Sequence, residues 1–235
     1  MFHASDAKQR RRFYLERSAR KRPSGAGSDL AFLMALERTA LPVQPAELFG
    51  NLPVLVVGDV ATRAYAPERT TKDIDFLVQP HDYETARQCL KANGFAKRGN
   101  LRFPNTMLGL YGEAWANGPL EIELLSSQQP WAHEAFEGRV NDQTGVRVIP
   151  LAYLVLMKYE SARSSDMADI ERMLAPLSES ATEQIIAVVK QHVDDPDVTE
   201  ELRQLRLIGI AEVAAVRAVE PEIGTGYAVG AEVLD

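Results

Sequence analysis

The chain has 235 residues but a single cysteine, Cys89, so it can build neither an intramolecular disulfide framework nor a multi-cysteine zinc site. A small buried hydrophobe on a helix is the expected use of that thiol, ahead of a nucleophile. The four histidines, His3, His81, His133 and His192, lack a second histidine at helical spacing, so no paired-histidine metal motif is present. No segment approaches the roughly 18 consecutive apolar residues that a membrane-spanning helix needs. The first segment is basic where a secretory leader is apolar. A soluble, cytoplasmic protein without a membrane partner is therefore expected. Val56-Val-Gly-Asp-Val60 has one glycine and no G-x-G-x-x-G, which leaves a dinucleotide-binding reading without support. Trp115 and Trp131 are expected to pack in the core or on the surface before they are expected to stack on a base.

What remains is globular in character: 46% hydrophobic and 25% charged residues. That length suits one domain with a helical extension, or two small domains. The net charge of −7 is uneven. Residues 1–22 hold eight basic side chains (Lys8, Arg10, Arg11, Arg12, Arg17, Arg20, Lys21 and Arg22) against Asp6 and Glu16. The rest of the chain is left with 18 basic and 31 acidic residues. Such a basic arm suits either nucleic-acid phosphates or the protein's own acidic surface.

Along the chain, 23–28 is a small, polar break, and apolar spacing predicts a helix over 29–40 with a short helical turn at 45–50. Pro53-Val-Leu-Val-Val-Gly58 reads as a buried strand, with Asp59 expected to cap a following helix through Ala61, Ala64 and Tyr65. Residues 72–78 alternate and then turn apolar, as a half-buried strand does, and 82–93 is an amphipathic helix closed by Gly94. From 95 to 125 short strands are expected, with turns at Asn100, Gly112 and Asn117-Gly118, and Leu120–Leu125 is the clearest strand. Arg147–Ile149 is a further strand, and helices follow from 151 to about 219. Capping-box spacing marks two helix starts at Ser180 and Asp197. The resulting layout is a basic arm and linker at 1–28, a core with its leading helix at 29–149, a helical region at 150–219 and a tail at 220–235. The fold class is α/β or α+β, a mixed sheet flanked by helices and followed by a C-terminal helical region.

Residues i and i+2 of a strand share a face, so Asp73 and Asp75 project together while Ile74 and Phe76 point into the core. Paired carboxylates repel each other and favour a divalent cation between them, and an all-oxygen site suits Mg2+ or Mn2+. Glu121 and Glu123 repeat the spacing and offer a third carboxylate. An exposed acidic strand face needs no metal, so the setting of the pair has to carry the reading.

That setting resembles a known family. Gly58 followed by Arg69-Thr-Thr-Lys-Asp-Ile-Asp75 is similar to the glycine and "R-x-T-x-D-x-D" signature of minimal nucleotidyltransferases. Pro150 to Ile170, with Lys158, Arg163, Asp166 and Asp169, resembles the helix pair of the AbiEii-like nucleotidyltransferases of toxin–antitoxin systems. The resemblance covers about 52–174 and implies a nucleotidyltransferase fold. It implies metal binding by Asp73, Asp75 and Glu123, with Glu121 as second choice, and nucleotide binding by Gly58, Asp59, Arg69, Thr70, Lys158 and Arg163. Asp166 and Asp169 would hold Lys158 and Arg163 or organise the helix junction. The implied activity is Mg2+-dependent transfer of a nucleotidyl group from an NTP to a hydroxyl of RNA, such as tRNA, or of a partner protein. The chain departs from the pattern at Asp59, where the family has Gly or Ser to grip phosphates, and at its third acidic position, Glu where Asp is commoner. A degenerate scaffold that serves as a binding module is the alternative that these departures support.

Overall fold

The computed structural model describes residues 4–20, 41–66, 73–103, 106–138, 140–142 and 144–219. Its strands are β1 (Val54–Val57), β2 (Asp73–Val78), β3 (Ala96–Arg102), β4 (Leu110–Asn117), β5 (Leu120–Ser127), β6 (Val140–Asn141) and β7 (Arg147–Val148). The helices of the first half are α1 (Ala4–Arg20), α2 (Pro45–Phe49), α3 (Gly58–Thr62), α4 (Tyr83–Ala92) and α5 (Pro130–Glu137). Four more follow the sheet: α6 (Leu151–Ser161), α7 (Ser164–Leu174), α8 (Glu179–His192) and α9 (Val198–Val219). The expected helix at 29–40 and the tail at 220–235 lie outside the described residues.

The strands form one mixed sheet in the order β3-β4-β5-β2-β1-β7-β6, so the fold is the expected mixture of sheet and flanking helices. All four residues of β1 are buried, which a strand of Val and Leu at a sheet centre requires. β2 lies between β1 and β5, antiparallel to the first and parallel to the second. One apolar cluster runs from Leu55 and Phe76 in the sheet to Leu154, Met167 and Leu202 in the following helices. Trp115 and Trp131 are both buried, and the indole N–H of Trp131 donates to the Leu108 carbonyl. Cys89 is a partly buried free thiol on α4.

Three local expectations are corrected. Asn100 and Gly112 are not turns but lie within β3 and β4. A Cβ on Gly112 would sit 2.4 Å from the Leu124 carbonyl oxygen, so this glycine permits close approach of β5 and breaks no strand. The Asn117-Gly118 turn does join β4 to β5. The first cap of the α8 region is Ser178, whose hydroxyl accepts from the Ala181 amide, two residues before the expected Ser180.

The basic arm contributes to the helical layer. α1 packs against α7 and α9. Arg11 is buried; its Nε donates to Glu201 at 2.7 Å, a second nitrogen pairs with Asp195, and its guanidinium lies 3.9 Å from the centre of the Tyr159 ring. Lys8 pairs with Asp195 and Asp197. These two cations therefore meet the chain's own acidic surface, while Arg12 and Arg17 stay exposed on α1. Lys21 and Arg22 lie outside the described residues. Removing one member of a buried ion cluster leaves the others unpaired in a poorly solvated site. Arg11→Ala is expected to lower unfolding stability by about 3 kcal/mol in urea titrations, and a loss well under 1 kcal/mol contradicts the buried pairing.

Candidate active site

Because β2 and β5 run parallel, Asp73 stands opposite Glu121 and Asp75 opposite Glu123. Ile74 and Phe76 fill the core on the other face, as their alternation requires. One carboxylate oxygen from each of Asp73, Asp75 and Glu123 lies within 4.8 Å of the others. Glu121 is exposed and outside this group, so register selects Glu123 as the third member. The Asp75 Oδ1 is sealed from solvent and has no hydrogen-bond partner.

An unpartnered carboxylate oxygen among like charges is costly to ionise. Burial, then the charges of Glu123, Asp73 and Asp59, push the Asp75 pKa well above the usual carboxylate range, against a smaller opposing effect of Arg163. Burial and Asp73 raise Glu123 in the same way. Neither Asp75 nor Glu123 has a salt bridge to a basic side chain among the described residues. Three carboxylates within reach of one another, one of them with a sealed and unpartnered oxygen, fit Mg2+ or Mn2+.

Gly58 seats this group. Its φ is +65°, and a Cβ there would lie 1.8 Å from the Asp75 Oδ2. Only glycine combines that backbone conformation with that contact. Asp59, the next residue, is not the cap of α3 but lies inside it, after the N-cap Val57, and its carboxylate turns to Lys158. α3 itself is only five residues long.

Asp59 belongs to a second acidic group, with Asp166 and Asp169, whose oxygens also lie within 4.8 Å of one another. Here the cation is already supplied. The Lys158 ammonium donates to Asp59 at 2.7 Å, Asp166 at 3.2 Å and Asp169 at 2.7 Å. Burial opposes its charge, yet the three carboxylates outweigh burial and hold its pKa above the usual lysine value. Asp166 also receives Arg163 and the Ser161 hydroxyl, and Asp169 receives Arg172. The turn between α6 and α7 passes through Ala162 in the left-handed region at φ +51° and delivers Arg163 to Asp166. The hydrogen bond to Asp166, then the charges of Asp166, Asp59 and Asp75, raise the Arg163 pKa.

The structure thus brings Asp73, Asp75, Glu123 and Gly58 into one group, and Asp59, Lys158, Arg163, Asp166 and Asp169 into its neighbour. All three donors of Lys158 meet carboxylates, where the resemblance implied phosphate. Arg69 and Thr70 lie outside the described residues. Comparison with family models and with curated proteins found no match.

A cleft of about 140 Å³ opens beside the carboxylates, lined by Asp73, Glu121, Glu123, Ala114 and Arg98 among others. Arg98 enters it at a register shift between Lys97 and Gly99, a bulge with no signature in the sequence. Arg172 is the other residue that the motif reading does not include; its spacing of three from Asp169 on a helix is the available signal.

The raised carboxyls have a pH consequence. Where the folded state holds protons that the unfolded chain has released, stability falls as pH rises. Metal-free protein is therefore expected to lose stability as pH climbs from the ordinary carboxylate range through the raised Asp75 and Glu123 values. In EDTA at neutral pH, Asp75→Asn is expected to melt a few degrees higher than wild type and to gain nothing from added Mn2+. A lower melting temperature in EDTA contradicts the assignment.

Proposed function

We propose that the chain is a metal-dependent nucleotidyltransferase that moves a nucleoside monophosphate from an NTP to a hydroxyl of RNA or protein. The carrying observation is the convergence of Asp73, Asp75 and Glu123, with the Asp75 Oδ1 buried and unpartnered. The order of sequence motifs described above supports the same reading, and adds the setting of a cytoplasmic toxin–antitoxin system.

Asp73, Asp75 and Glu123 would hold Mg2+ or Mn2+. Bound there, a divalent ion would activate the acceptor hydroxyl and neutralise phosphate charge. The new bond joins the acceptor oxygen to the α-phosphorus; the bond that breaks releases pyrophosphate. The chain's own groups position and bias this exchange and form no covalent intermediate. The absent side chain of Gly58 leaves Asp75 its seat and keeps the three carboxylates together. Arg163, anchored by Asp166, contributes positive charge next to them. Lys158 acts through Asp59, Asp166 and Asp169 and fixes the helix junction that carries Arg163. The NTP is the first partner. For the acceptor, the internal pairing of Lys8 and Arg11 leaves Arg10, Arg12 and Arg17 as the described exposed cations of α1.

One observation favours a second reading. Asp59 occupies Lys158, and a scaffold with its phosphate-facing lysine engaged would suit a non-catalytic binding module. Calorimetry with ATP, GTP, CTP and UTP in Mg2+ separates the two. Binding of at least one nucleotide, lost in Asp73→Ala, is expected. Absence of binding to all four, with Asp73→Ala behaving as wild type, contradicts the enzyme reading.

A further inference from the structure

Of the three carboxylates on Lys158, two are locked in the interior. Asp166 and Asp169 are each 1% exposed and each is held by an arginine as well. Asp59 differs: its side chain is 30% exposed, against 3% for Lys158. It is therefore the member of the cluster that a solute can meet. In the chain it also directly follows Gly58, whose backbone abuts the Asp75 carboxylate of the metal-type group. A polyanion approaching Lys158 would meet this carboxylate, the exposed one of its three partners.

We infer that Asp59 is an affinity-setting residue: its carboxylate takes the place on Lys158 that a donor phosphate would occupy, and so weakens nucleotide binding. The inference rests on the nucleotidyl-transfer reading and deepens it. Lys158 does not need Asp59 to remain charged and in place, because Asp166 and Asp169 keep two of its donors. Losing the Asp59 charge removes a like charge from the path of the phosphates. Losing its oxygen as well frees the third donor. The same change acts oppositely on the bare metal site, where one negative charge fewer attracts a cation less.

The test uses the full chain as wild type, Asp59→Asn and Asp59→Ser. Two readouts are taken by calorimetry: binding of whichever of the four Mg2+–NTPs wild type binds best, and binding of Mn2+ alone. Both variants are expected to bind nucleotide tighter, by about tenfold, with Asp59→Ser the tighter, while Mn2+ alone binds equally or more weakly. A general tightening of the fold would strengthen both readouts and overturns the inference. Nucleotide affinity unchanged or reduced in both variants also overturns it, and leaves nucleotidyl transfer standing. No nucleotide binding by any of the three proteins contradicts nucleotidyl transfer and this inference together.

Discussion

A lysine ammonium removed from water must be surrounded by negative partners, and Lys158 draws those partners from two parts of the fold. Asp59 comes from α3, directly after the central strand β1; Asp166 and Asp169 come from α7. The ion cluster therefore ties the helices that follow the sheet to the turn at Gly58. That turn carries the glycine against which Asp75 rests. The direction of Arg163 and the junction of α6 and α7 depend on that buried charge being held by Asp166 and Asp169.

Two acidic groups next to each other make different demands. Around Lys158, three carboxylates meet Lys158, Arg163 and Arg172, so like-charge repulsion is offset inside the protein. At the other group, Asp75 and Glu123 have no salt bridge among the described residues, and the cost appears as their raised carboxyl pKa values and a sealed Asp75 oxygen without a donor. In the first group the charges are offset as the fold stands; in the second, burial and like charge disfavour ionised Asp75 and Glu123. That contrast, more than the presence of acidic residues, singles out the candidate site.

Much of this was legible in the residues. The apolar run at 54–57, the alternation at 73–78 and the helix closed by Gly94 are local patterns, and each appears in the structure. The i, i+2 spacing placed Asp73 and Asp75 on one face. The choice between Glu121 and Glu123 is a matter of strand register, which no local pattern carries. The pairing of Lys158 with Asp59 spans 99 positions and joins two helices that spacing alone cannot bring together. Gly112 misleads for a related reason: a glycine in a strand interior looks like a turn until the neighbouring carbonyl is seen. The basic arm stays open on charge alone, because net sign does not say whether Lys8 and Arg11 face phosphate or Asp195.

The central claim, that a divalent cation would bind at Asp73, Asp75 and Glu123 while Lys158 fills the neighbouring acidic group, is tested most directly by anomalous diffraction from crystals soaked in Mn2+. The account predicts manganese bound by Asp73, Asp75 and Glu123, with none among Asp59, Asp166 and Asp169. Manganese at the Lys158 cluster, or at neither group under saturating Mn2+, would contradict it.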